Sequence, residues 1–180
     1  MDNIDSLLHF LSYFLFNFFL YGFIGWIIEN AYSYFKRRHF QRTGFLNGPF
    51  KPMYAIAMSL LVVFSSMINY NTYILIPICI IVPTMVEYIT GVVMRNYFDK
   101  DYWDYSELKY NFQGIICLRF SLYWTVLTFV GVQYFQIYVI NNLYNIIFLL
   151  WIMVCPILLL VLVIDETLAI SGFGHNRKVA

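Results

Sequence analysis

All eleven Lys and Arg residues of this chain fall on one side of its apolar segments. They are Lys36, Arg37, Arg38, Arg42, Lys51, Arg95, Lys100, Lys109, Arg119, Arg177 and Lys178. The other ends of the same segments carry no basic residue. Positive loops of a membrane protein stay on the cytoplasmic side, so this distribution predicts a topology. It does not name a reaction.

Composition places the chain in the same class. It is 61% hydrophobic and 12% charged, against about 25% charged residues in a soluble domain. A nucleic-acid binder would show basic excess without long apolar spans, so that partner class is excluded. No linker or soluble insert is visible, and one polytopic domain over residues 1–180 is expected. Cys79, Cys117 and Cys155 stand singly in apolar segments, without zinc spacing, and read as buried small side chains. His9 and His39 have no partner at ligand spacing and read as interface residues. The N-terminus has Asp2 and Asp5 and no basic stretch, which argues against a cleaved signal peptide.

A helix needs about 20 mostly apolar residues to cross a bilayer. Five stretches qualify as spans: His9 to Tyr34, Met53 to Ile68, Tyr73 to Tyr97, Gly114 to Ile140 and Leu143 to Ile164. The second is short. The third holds Pro77 and Pro83, and the fifth Pro156. Between spans the connections alternate. Lys36 to Lys51 is basic, Asn69 to Thr72 is an uncharged turn, Arg95 to Lys109 is charged, and Asn141 and Asn142 mark a second uncharged turn. The predicted fold is therefore an all-α integral membrane protein, a bundle of about five transmembrane helices. Its N-terminus lies outside and its C-terminus inside, in the cell membrane.

Ionisable residues within such spans are the candidate functional groups, because a charge at the bilayer centre costs roughly 2.5–3.5 kcal/mol. Glu29 precedes Lys36 by seven residues and Glu87 precedes Arg95 by eight. At 1.5 Å per residue both lie roughly 10–12 Å from the basic edge. Gly22, Gly25, Trp26 and Glu29 share a helical stripe, as do Pro83, Glu87 and Gly91, and Gly114, Cys117, Ser121, Thr125 and Thr128. Small residues on such stripes allow close packing. Two readings stay open. The carboxyls form a proton or cation site, or an acid/base pair. Alternatively each pairs with Arg38, Arg42, Arg95 or Arg119 and only holds the bundle.

Asp99, Asp101, Asp104 and Glu107 crowd the loop before the fourth span. A solvated acidic loop is one reading. The other is a divalent cation at Asp104, held together with a substrate phosphate; no other cofactor is evident. The aromatic residues, 21% of the chain, read mostly as an interface belt, with Trp103 a candidate platform for a cation or lipid headgroup. The segment Gly44 to Tyr54, GFLNGPFKPMY, cannot be regular helix. Its backbone amides form either a simple turn or an anion site. Asp165 and Glu166 read as the point where the last helix leaves the membrane.

Five motifs in order resemble the CmpB family of type-IV ABC-transporter membrane proteins: FIGWIIE at Phe23 to Glu29, GFLNGP at Gly44 to Pro49 with Pro52 and Tyr54, EYITG at Glu87 to Gly91, WDYS at Trp103 to Ser106, and Asn111, Gly114, Ser121 and Trp124. The resemblance implies that Glu29, Gly48, Pro49, Tyr54, Glu87, Tyr88, Trp103, Asp104, Tyr105 and Asn111 hold the family's characteristic positions. Thr43 and Arg95 depart from its charge pattern. It implies a transporter component. No GxxxxGK[ST] motif is present, so a separate ATPase subunit would supply energy. Membrane lipid and further copies of the chain are the other expected partners. An enzyme acting on a lipid or polyprenyl phosphate at the inner leaflet is the alternative. Glu87 and Asp104 would then be catalytic and Arg95 or Arg119 phosphate-binding. A purely structural or regulatory membrane protein is the third reading.

Overall fold

The computed structural model describes residues 2–38 and 44–179, with side chains described for 5–35, 38 and 44–172. Arg42, His39 and Thr43 lie outside the described residues. The chain is 80% helical, so the fold is all-α and membrane-like. The elements are α1 (Asp2–Arg37), α2 (Pro52–Met67), α3 (Thr72–Phe98), β1 (Asn111–Phe112), β2 (Ile116–Cys117), α4 (Leu118–Val130), a π-helical stretch (Gly131–Ile140) and α5 (Asn141–Val179). Three helical segments are long and apolar enough to cross a membrane: Asp5–Phe35, Thr72–Phe98 and Leu118–Gly172. At 16 residues α2 is about 24 Å long, shorter than a bilayer core of about 30 Å.

Two boundaries differ from those expected. The fourth helix begins at Leu118, not Gly114. Gln113 and Gly114 have φ of 56° and 71°, which no right-handed helix accommodates. They close a hairpin in which Asn111 pairs with Cys117 and Phe112 with Ile116. The second difference is at Asn141 and Asn142, where helix replaces the expected turn. Neither residue removes a backbone donor as Pro would, and both amides bond inside the helix. Asn142 donates to the Tyr138 carbonyl at 2.8 Å. Asn141 accepts from Gln136 at 3.0 Å. The uncharged turn before α3 is present: Asn69 and Tyr70 take left-handed φ, and the Asn71 side chain caps α3 by accepting from the Tyr73 amide at 3.0 Å.

The chain divides into two compact units, 1–55 with 147–180, and 56–146. In the first, His9 meets Phe148, and Phe16 packs edge-on against Trp151 at 5.4 Å. The Trp151 indole donates to the Ser12 carbonyl at 3.1 Å. These contacts rise together in number, so α1 and α5 run in the same direction. A Cβ on Gly22 would overlap the Phe50 ring, and one on Gly25 the Tyr54 side chain. The glycine stripe of α1 thus admits the aromatic residues of the 50–54 segment.

In the second unit α3 and α4 are antiparallel, with the Thr128 hydroxyl donating to the Cys79 carbonyl at 3.4 Å. Gly91 faces Ile115 and Trp103 without room for a Cβ. Leu61, Leu75, Cys79 and Val132 are fully buried. Outward residues such as Ile81, Val126 and Ile146 are apolar and exposed, the pattern expected of faces that meet lipid.

Candidate functional site

The two candidate carboxyls belong to different units and have different surroundings. In the first unit Glu29 forms an ion pair with Lys51. The Lys51 amide donates to the Gly22 carbonyl at 3.0 Å, which fixes the lysine over α1. Glu29 is therefore paired, with Lys51, a residue not among the arginines expected; Arg42 lies outside the described residues. The signal for Lys51 was its place beside Pro52 in a segment that cannot be helical and so must fold back on α1.

Just before Lys51, the amides of Asn47 and Gly48 converge on Asp165 of α5. Asn47 donates to it through its backbone at 3.1 Å and its side chain at 3.0 Å, and Gly48 through its backbone at 2.8 Å. The turn does bind an oxyanion, and that oxyanion is the chain's own carboxylate. Sequence reasoning placed Asp165 at a membrane exit and missed this contact, because the two partners are 117 residues apart.

In the second unit Glu87 is 2% exposed. The Tyr105 hydroxyl donates to its Oε1 at 3.0 Å. The Trp124 indole faces the same carboxyl, though Oε2 receives no hydrogen bond of good geometry. Among the described residues the ion pairs are Lys51–Glu29 and Arg95–Asp101, so Glu87 has no cationic partner. Tyr105 stacks on Phe120 at 4.7 Å, which holds its hydroxyl over the carboxyl.

The loop that supplies Tyr105 is rigidly built. Both oxygens of Asp104 accept from Ser106, from its amide and its hydroxyl, each at 2.9 Å. The Ser106 amide, then its hydroxyl, holds the Asp104 carboxyl below its ordinary range. Asn111 donates to the carbonyls of Leu108 and Ser106 and accepts from the Gly114 amide at 3.1 Å. The Tyr105 amide donates to the Gly114 carbonyl at 2.8 Å. The Trp103 indole donates to the Ile115 carbonyl at 2.8 Å, so its ring packs on Gly91 rather than standing free. A shallow, open hollow lies beside it, lined by Met94, Lys100, Asp101 and Tyr102.

The remaining candidates support this loop. Arg95 donates to Asp101 at 2.8 Å and to the Gln113 carbonyl at 2.9 Å. Tyr88 donates to the Gln113 side chain at 3.1 Å. Arg119 donates to the Tyr123 hydroxyl at 3.0 Å. No three His, Cys, Asp or Glu side chains cluster among the described residues. Asp104 and Arg95 are thus both engaged within the loop.

The family model described as "Putative ABC-transporter type IV", CmpB, matches residues 16–170. The chain belongs to the CmpB family. The match spans both units and every site residue described above. No curated protein and no solved structure matches the chain. Within this CmpB chain, the motif residues from Trp103 to Asn111 are mainly the internal bonds of one loop, and Tyr105 is the member that reaches the buried carboxyl.

Two outcomes are expected. Asp165→Ala frees the turn, and hydrogen exchange at the Asn47 and Gly48 amides accelerates by about tenfold, the equivalent of roughly 1.4 kcal/mol for charge-assisted bonds; unchanged exchange would show that the contact does not hold the turn. The second concerns pH. A lowered Asp104 pKa means that its support of the loop is fully present above the ordinary value of 3.8 and is lost as pH falls through the lowered one. The Ser106 amide resonance should therefore titrate with a midpoint below 3.8, and a midpoint above it would contradict the arrangement.

Proposed function

We propose that this chain is the membrane component of an ABC-type transporter. It crosses the cell membrane several times, with its working polar site on the cytoplasmic half. The observation that carries this reading is the bond from Tyr105 to Glu87. It links an ordered polar loop to a carboxyl buried in an apolar helix pair, so a force on the loop reaches the core through one side chain. The family description supports the transporter class. A separate ATPase subunit would act on the 99–117 loop and the basic 36–51 segment. Assembly with further copies, and lipid around the apolar faces, complete the proposed setting.

The proposed topology is five spans with the N-terminus outside and the C-terminus inside. One-sided basic residues support it. The 55-residue apolar helix Leu118–Gly172 has length for two crossings of about 20 residues each. Five crossings also require a reversal near Asn141, where the structure is helical. Cysteine labelling decides the point. With five spans, cysteines at Asn71 and Asn142 react with an impermeant reagent from outside, and one at Lys109 only after permeabilisation. Protection of the Asn142 position from outside would remove the five-span topology.

Function is tested through the Tyr105–Glu87 link. The full chain should be reconstituted in its native complex with the ATPase, and Tyr105→Phe compared with the parent protein. Substrate-stimulated ATP hydrolysis should fall about tenfold, the loss expected for one hydrogen bond to a charged group, while basal hydrolysis persists. Absence of any nucleotide-hydrolysing partner from the native complex would refute the transporter reading.

A further inference from the structure

Among the described residues no ion pair balances Glu87. An ionised carboxylate at 2% exposure is uncompensated unless a positive charge accompanies it, and leaving it so costs several kcal/mol. The groups described against its carboxyl are neutral. The 99–117 loop presents the Tyr105 hydroxyl. From α4 come the Trp124 indole and Phe120, which stacks on Tyr105. On α3, one turn earlier, the buried Thr84 hydroxyl oxygen is without a hydrogen bond.

Of the basic residues of these same elements, Lys100 and Lys109 are exposed on the loop, and the two arginines are engaged with other groups. Arg95 at the end of α3 is engaged by Asp101 and the Gln113 carbonyl. Arg119 at the start of α4 is engaged by Tyr123. Between Lys51 and Arg95 the sequence contains no Lys or Arg, and none between Arg119 and Arg177. Among the described residues none pairs its positive charge with Glu87, and a small cation or proton from solution would supply one.

We propose that Glu87, with Thr84, Tyr105 and Trp124 around it, is a binding site for one small positive charge, a proton or a monovalent cation. Glu87 Oε2 is the free acceptor, and Thr84, three residues earlier, shares its face of α3 and carries a hydroxyl that can accept or donate. Tyr105 donates to Oε1 and orients the carboxyl. Because Tyr105 belongs to the loop, movement of the loop changes how tightly the charge is held. Its role as the coupling ion of transport rests on the transporter reading. The binding itself does not.

The test uses the full chain purified in lipid nanodiscs, without an ATPase. Infrared difference spectra against Glu87→Gln report whether the carboxyl is protonated. Thermal unfolding in sodium, potassium or choline chloride reports cation binding. A protonated-acid band at neutral pH, absent in Glu87→Gln and shifted in Tyr105→Phe, establishes the proton. Saturable stabilisation by sodium or potassium but not choline, lost in Glu87→Gln, establishes the cation. In that case Tyr105→Phe raises the half-saturating concentration about tenfold. If Glu87→Gln does not fold, Thr84→Val and Tyr105→Phe carry the comparison through the same band or saturation curve. An ionised carboxyl in a protein whose stability ignores all three salts overturns the proposal. If a charge binds here while the native complex contains no ATPase, the transporter reading falls and the site stands.

Discussion

A carboxyl group inside an apolar helix pair constrains everything packed around it. Glu87 is buried to 2% exposure, and its environment has to supply hydrogen-bond donors at a depth where water does not. One donor comes from outside α3 and α4 altogether. Tyr105 reaches in from a loop, and the loop is built to keep it there. Asp104 and Ser106 close the turn on one side of Tyr105. Asn111 ties the turn to Gly114, and Gly114 receives the Tyr105 amide. Phe120 stacks on the ring. The WDYS motif makes physical sense as a support for one hydroxyl.

The all-α class was legible from composition and from the length of the apolar stretches, since both follow from the bilayer as solvent. Helix ends were less so. Nothing in Gly114 to Cys117 breaks an apolar pattern, yet a positive φ at Gln113 and Gly114 starts the helix four residues later. Asn141 and Asn142 read as a turn because such residues favour turns. In the structure their amides bond back into the helix, and the π-wound stretch before them continues without a stop. Propensity described what these residues prefer when exposed; their neighbours decided otherwise.

For the site, the sequence singled out Glu29, Glu87 and the loop residues, Tyr105 among them, but not which residue pairs with which. Counting from the basic edge gave the two glutamates the same depth and hence the same standing. The structure separates them by charge. Glu29 has Lys51, whereas Glu87 has Tyr105 and Trp124. An ion pair of this kind is satisfied and holds the 50–54 segment against α1. A carboxyl with only neutral donors is not satisfied in charge, and the same residue type takes on a different role.

Asp165 shows the complementary case. The GFLNGP turn offers backbone donors, and a turn of that kind attracts an oxyanion. In this chain the attraction is spent on α5, whose carboxylate receives three hydrogen bonds from Asn47 and Gly48. The same turn continues through Phe50, which packs on Gly22, to Lys51, which pairs with Glu29. Within this unit, then, displacement of α5 along its axis would pull on Asn47 and Gly48 first. Through three further residues it would load the Glu29–Lys51 pair. The positive end of that pair is held by the turn and the negative end by α1, so the ion pair adds to the resistance that the Trp151–Ser12 bond and the Phe16–Trp151 packing offer to relative movement of α1 and α5.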